Sequence, residues 1–376
     1  MTLESLETPC LLLDRAVMEG NARRFLDIAK RHGVTLRPHL KTAKSIEVAR
    51  RVTDAEAGAP ITVSTLAEAE YFAGAGFKDI LYAVGLAPGK LARAVRVMLE
   101  YGTGLKLVTD NVTLAEAAAA YAEGEGVDLE FMIEIDCGDH RAGLPPESEE
   151  LLAVAQVLGT CPRITLRGVM THAGQSYGTK DPAEIAMIAE EERAAVVRAA
   201  ERLRAAGHAV DMVSLGSTPT VAFAKDLSGV TEVRCGVHVF FDLDQLGRGV
   251  CRPEDLALSV LASVIGHNRA AGTVLIDAGG LALSKDLGAN TFLPDAGYGY
   301  VCDAEGKRLE GLFVVGVSQE HGRIPLPDPS WYDRLPVGTL LRILPNHACF
   351  TAAAYPAYQV LEDGEPKTVW TRVNGW

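Results

Sequence analysis

The chain has few cysteines, and no two of them stand in a C-x-x-C spacing. Its seven lie apart, at positions 10, 137, 161, 235, 251, 302 and 349. An odd, scattered set excludes a disulfide framework and fits a reducing cytoplasm. The chain also lacks positive charge: 36 Lys and Arg face 49 Asp and Glu, a net charge of −13. That balance excludes a nucleic-acid surface or an anionic membrane as partner, and it reads as ordinary solubility. No run of about 18 apolar residues occurs, so no membrane-spanning helix is expected. The opening residues, Met-Thr-Leu-Glu-Ser-Leu-Glu-Thr-Pro, are acidic and carry no apolar segment, so neither a signal nor a transit peptide is expected.

What remains is a globular chain of 376 residues, 48% hydrophobic and 23% charged. That length suits two domains better than one core. Over the first 240 residues, short β-branched runs alternate with Ala-rich helical stretches. Strands are expected at 35–40, 61–65, 80–85, 105–109, 129–135, 166–172, 212–216 and 232–236. Helical patterns lie at 15–32, 66–75, 112–123, 183–206 and 219–224. Asp14 and Gly33 can cap the first of these, and Thr65 with Glu68 has capping-box spacing. Strand–helix alternation with near-continuously apolar strands means a parallel sheet covered by helices, and eight units suggest a closed (β/α)₈ TIM-type barrel. After about residue 245 the helical patterns give way to strand-like runs at 257–266, 273–277, 312–318, 339–344, 356–361 and 367–372. This predicts an α/β chain with a C-terminal all-β domain. The 322–337 stretch, with four prolines, is expected to be a loop.

Barrel enzymes work at the C-terminal ends of their strands. There the sequence concentrates polar groups: Arg37, His39 and Lys41 after strand one; Asp136 to Arg141 after five; His172 to Tyr177 after six; Ser217, Thr218 and Thr220 after seven; Arg234 to His238 after eight. Lys41 sits two residues from His39, so strand geometry would point both side chains one way. A lysine in a partly desolvated mouth can form an imine, with Lys44 as its rival. Gly216-Ser-Thr-Pro-Thr reads either as a plain helix cap or as a phosphate cradle, and its place after strand seven, with Gly236 after strand eight, favours the cradle. His172 reads as a core histidine or as a ring stacked on an aromatic group. Arg141 reads as a solvated charge or as a donor to a phenolate oxygen. Far downstream, His347 and Cys349 stand two apart after an apolar run, so a continuing strand would project both from one face. Their donor types favour Zn²⁺ among common ions and leave coordination positions open. Glu320-His321-Gly322 reads as a substrate contact or as a turn.

Taken in order, RPHLKTAK (37–44), EIDCGDHRAG (134–143), THAGQSY (171–177), GSTPT (216–220), EVRCG (232–236), SQEHG (318–322) and PNHAC (345–349) resemble the fold-type III pyridoxal-phosphate enzymes of the D-serine dehydratase and D-threonine aldolase family. The resemblance covers nearly the whole chain. It implies an alanine-racemase-like barrel over 12–245 and a β domain over 246–376 that takes in about 1–11, in a homodimer. It implies pyridoxal 5'-phosphate on Lys41, with Arg141 and His172 near the ring and Tyr177 at the edge of the site. Ser217, Thr218 and Gly236 match the phosphate site, with His238 beside them among the cofactor contacts. His347 and Cys349 match a divalent-metal pair, Zn first and Mn or Mg as alternatives. Two departures bear on substrate choice. Ala43 stands where many relatives have His, and His238 where many have an aromatic residue. Cys349, where aldolase-type members often carry Asp, leans toward the dehydratases. The expected activity is a lyase acting on D-3-hydroxy-amino acids such as D-serine or D-threo-3-hydroxyaspartate, giving a keto acid and ammonia by β-elimination. Retro-aldol cleavage to glycine and an aldehyde is the alternative. A racemase, or a non-catalytic carrier of the cofactor, stands behind both.

Overall fold

The computed structural model describes residues 2–53 and 58–376. It divides into two compact units, Arg23–Gly236 with Val373–Trp376, and Met1–Ala22 with Val237–Arg372.

The first unit is built on eight parallel strands: Thr35–Leu36, Ile61–Val63, Asp79–Tyr82, Gly104–Thr109, Leu129–Ile135, Ile164–Thr171, Met212–Leu215 and Glu232–Val233. The first strand pairs the eighth, Thr35 opposite Glu232 and Leu36 opposite Val233. It meets the second through a bridge between His39 and Thr62. There the Thr62 N–H donates to the Pro38 carbonyl and the Leu40 N–H to that of Thr62. The ring is therefore closed. Regular pairing on the first strand stops sooner than expected, because Pro38 has no N–H to give. Strands such as Gly104–Thr109 are buried at every position but the first, as a sheet covered on both faces requires. Leu81, Val108, Met132 and Met170 from neighbouring strands pack into one core cluster.

The expected helix ends form. The Asp14 carboxylate accepts the Val17 N–H at 3.0 Å, and Gly33 takes φ +68°. Thr65 Oγ1 accepts the Glu68 N–H at 3.0 Å, and the Glu68 carboxylate accepts the Ser64 N–H at 3.0 Å and hydroxyl at 2.8 Å, with the Thr65 hydroxyl at 3.3 Å. Three further helices, Ile46–Val52, Leu91–Tyr101 and Glu149–Thr160, complete the alternation.

Arg37 corrects one expectation. It does not join the polar groups at the mouth. Its guanidinium, 2% exposed, pairs with Glu232 at 2.8 Å and Asp79 at 2.8 Å. Lys106 joins at 2.7 Å from Asp79. Asp79 and Glu232 are the first residues of their strands, so this network lies at the opposite end of the barrel from the mouth.

The second unit is a sheet running Arg308–Phe313, Tyr300–Cys302, Leu340–Leu344, Leu258–Asn268, Cys10–Asp14, Ala357–Glu362 and Glu365–Thr371. The N-terminal strand Cys10–Asp14 lies inside it, antiparallel to Leu258–Asn268 and parallel to Ala357–Glu362. Leu12, Leu261 and Leu361 pack together at that point. The long strand bulges between Val264 and Gly266 and then pairs with Thr273–Ile276. The 322–337 stretch is not simply a loop. Gly322–Pro325 is a strand paired with Thr273–Ile276, and Trp331–Arg334 forms a helical turn. Its proline closes an edge position, where no ladder N–H is needed. Among the described residues, no helix is long and apolar enough to cross a membrane.

Candidate active site

Lys41 does not continue the first strand. The chain leaves the bridge at His39 into a turn in which the Lys44 N–H donates to the Leu40 carbonyl at 2.7 Å. Lys41 sits in that turn, exposed, with its own N–H 3.4 Å from His39 Nδ1. Lys44 is placed quite differently. Its ammonium lies 3.1 Å from the buried Glu68 carboxylate, and its φ is +50°. A lysine paired this way is anchored, so Lys41 is the available amine of the two.

His172 follows the sixth strand. Its Nδ1 lies 2.8 Å from the Gly216 carbonyl, which can only accept, so Nδ1 carries the hydrogen. Burial pushes its pKa down to about 3, against that hydrogen bond and together with Lys41, Arg141 and Arg234. The ring is thus neutral. Tyr177 lies tilted against it at 6.3 Å between centroids. Arg141 is largely exposed, with its guanidinium 3.8 Å from Asp139.

After the seventh strand, Ser217 caps the short helix Thr218–Phe223. Its Oγ accepts the Thr220 N–H at 3.2 Å and lies 3.0 Å from Ser176 Oγ. The plain cap is therefore real. Next to it, the Thr218 hydroxyl is buried and has no hydrogen-bond partner among the described residues. Gly216 has φ +137°, and a Cβ there would lie 2.3 Å from the Arg234 carbonyl. A Cβ on Gly236 would lie 3.0 Å from the His39 carbonyl and 3.1 Å from Thr42 Oγ1. Both glycines thus let strands and turns pack closely, and the orphaned Thr218 donor is the feature that fits a phosphate. His238 is fully buried in the turn Val237–Val239, at the start of the second unit.

In the second unit, His347 and Cys349 do not share a strand face. His347 is the N-cap of the helix Ala348–Ala353, and Cys349 is the second residue of that helix. The helix turn still brings the two side chains into hydrogen-bonding contact. His347 Nδ1 donates to Asp286 Oδ2 at 2.6 Å. Asp242, wholly buried and raised by burial to about 6, holds the Ala348 N–H at 2.9 Å and the Gln245 N–H at 3.0 Å. Burial alone would lower the His347 pKa, but Asp286, Cys349 and Asp242 together lift it to about 11. These acidic neighbours would favour a bound cation there as well as a proton. Among the described residues, no three His, Cys, Asp or Glu side chains converge as ligands. The pair fits a metal that takes its remaining ligands from water or substrate. Asp286 and Asp242 carry no sequence signal: they lie about 60 and 100 residues from His347 and meet it only in the fold. Glu320 and His321 are an exposed turn closed by the Ser318 N–H to the His321 carbonyl.

A family model described as alanine racemase, N-terminal domain, matches residues 13–244, and one described as putative serine dehydratase domain matches residues 257–361. D-threo-3-hydroxyaspartate dehydratase of Delftia sp. (strain HT23) is 47% identical over 381 residues, covering 100% of this chain and 99% of its own. The chain belongs to this family of fold-type III pyridoxal-phosphate lyases. A solved structure of a cysteine-to-alanine variant of D-threo-3-hydroxyaspartate dehydratase, in a metal-free form, matches this family member with a TM-score of 0.96 at 45% identity over 100% of both chains. A more distant relative, 3-hydroxy-D-aspartate aldolase of Paracoccus denitrificans (strain Pd 1222), is 30% identical, with 98% of this chain and 92% of its own covered.

Proposed function

We propose that this lyase converts D-3-hydroxy-amino acids to keto acid and ammonia through β-elimination, with D-threo-3-hydroxyaspartate as first substrate and D-serine as second, using pyridoxal 5'-phosphate and a divalent cation, zinc first. The observation that carries the reading is the His347–Cys349 pair braced by Asp286, a metal donor set that a racemase or a cofactor carrier has no use for. Lys41 would hold the cofactor aldehyde; Ser217, Thr218 and Gly236 its phosphate; Arg141, His172 and Tyr177 its ring; and His347 and Cys349 the metal. When bound, the cofactor withdraws electrons from Cα, and the metal acts as a Lewis acid on the β-hydroxyl.

The residues divide the remaining work. Lys41 Nζ is placed to take the Cα proton. His172 keeps its Nδ1 hydrogen on Gly216 and offers an uncharged ring face, so it adds no positive charge beside the cofactor. Arg141, held only loosely by Asp139, has donors to spare for an oxygen anion. The net reaction on hydroxyaspartate is balanced: the hydroxy-amino acid becomes a keto acid plus ammonia, and the water lost in elimination returns in hydrolysis.

The test is a panel of D-amino acids with ammonia and aldehyde measured together, with and without chelator. Keto acid and ammonia from D-threo-3-hydroxyaspartate, abolished by EDTA and restored by Zn²⁺, is the expected result. Glycine and an aldehyde without ammonia would replace it with the retro-aldol reading. We also infer a cytoplasmic homodimer. Among the described residues no cysteine forms a disulfide, which supports a reducing compartment, and light scattering tests the dimer.

A further inference from the structure

Glu192 lies in the middle of the long helix Pro182–Ala205 and is 0% exposed. Ile185, Ile188, Ala189, Glu192, Val196 and Ala199 are the buried stripe of that helix, so the carboxylate occupies a place its pattern reserves for an apolar side chain. No lysine or arginine lies in ion-pair contact with it among the described residues. Instead, Glu192 Oε1 accepts two backbone N–H groups, from Ala173 at 2.9 Å and from Gly216 at 3.1 Å. Its Oε2 is buried with no hydrogen-bond partner among the described residues.

These two N–H groups are the immediate neighbours of site residues. Ala173 follows His172, and Gly216 precedes Ser217. The same two turns are joined by His172 Nδ1 to the Gly216 carbonyl at 2.8 Å and by Ser176 Oγ to Ser217 Oγ at 3.0 Å. One oxygen shared by two donors fixes the separation of the turns, which two independent acceptors would not do. Burial raises the Glu192 pKa, against the Thr220 hydroxyl, the Ala173 N–H, Arg234 and the Gly216 N–H. A carboxylate kept in so costly a place needs a reason beyond packing.

We propose that Glu192 is a positioning residue, whose buried carboxylate clamps the turns after the sixth and seventh barrel strands. The clamp holds the His172 ring and the Ser217 and Thr218 hydroxyls in register for pyridoxal 5'-phosphate. This rests on the cofactor site proposed above.

The test titrates the metal-replete apoprotein with pyridoxal 5'-phosphate, following visible absorbance, and records thermal melting of the apo form. Glu192→Ala leaves both N–H groups without an acceptor, and its dissociation constant should rise about tenfold or more, with a displaced absorbance band. Glu192→Gln keeps an acceptor oxygen and should recover most of that loss. Where the Ala variant does not fold, Glu192→Asp replaces it; one methylene shorter, it cannot reach both turns, and the same rise of about tenfold is expected. A dissociation constant and band like wild type in the Ala or Asp variant, with only the melting temperature lowered, would reduce Glu192 to a structural residue. Failure of wild type itself to bind the cofactor would instead sink the cofactor site, and the clamp with it.

Discussion

Two lysines three residues apart show how much is settled at the scale of single side chains. Lys44 is pinned to the buried Glu68 at 3.1 Å, while Lys41 stands free in the turn. Lys41→Ala should therefore abolish the visible absorbance and the borohydride-labelled peptide. The fold should barely change, since an exposed substitution shifts stability by only about 0.5 kcal/mol. Persistent colour would move the attachment to another lysine. At the other site, Asp286 fixes His347 Nδ1 and so aims the other ring nitrogen. Asp286→Asn should weaken metal binding by about tenfold to a hundredfold, as loss of such a bracing carboxylate does elsewhere. Competition with a fluorescent zinc chelator measures it, and an unchanged affinity would make Asp286 incidental.

Among elements, the turns that leave the strands matter more than the strands. The sixth strand ends at Thr171, and its turn hands His172 across to the carbonyl of the seventh. Burial holds the imidazole neutral down to about pH 3 in the folded chain, whereas an unfolded histidine titrates near 6.5. As pH falls through that window, the unfolded state takes up a proton that the folded state refuses, so stability is lost on acidification. The melting temperature of the apoprotein should fall between pH 6.5 and about 3, and His172→Asn should flatten the slope. An equal slope in the variant would assign the loss to other groups. A strand and a helix N-cap place side chains differently. The spacing of His347 and Cys349 suggested a shared strand face, yet the same two residues meet at a helix start because Asp242 accepts the Ala348 N–H there.

For the molecule as a whole, closure of the barrel is the central packing event. Arg37 ties the first strand to Glu232 of the eighth and Asp79 of the third, nearly out of water. Arg37→Met would strand a buried carboxylate and should cost about 3–5 kcal/mol in urea unfolding, with activity kept in whatever fraction folds. A loss below about 1 kcal/mol would mean that the ring closes without it. All eight barrel strands and the change of texture near residue 245 were legible in the chain, because apolar periodicity and turn residues act locally. Lys41, the glycine turn at 216 and the His–Cys pair, the residues of the proposed site, each stand in a short motif of the chain. What no local pattern held was partnership across long separations: Arg37 turned to the barrel floor instead of its mouth, Glu68 taking Lys44 out of contention, Asp286 bracing His347, Glu192 joining two turns. Backbone propensity and periodicity are written within a few residues and can be read there. Which buried charge meets which partner depends on the closed barrel and the folded sheet, since only burial makes those pairings worth their desolvation.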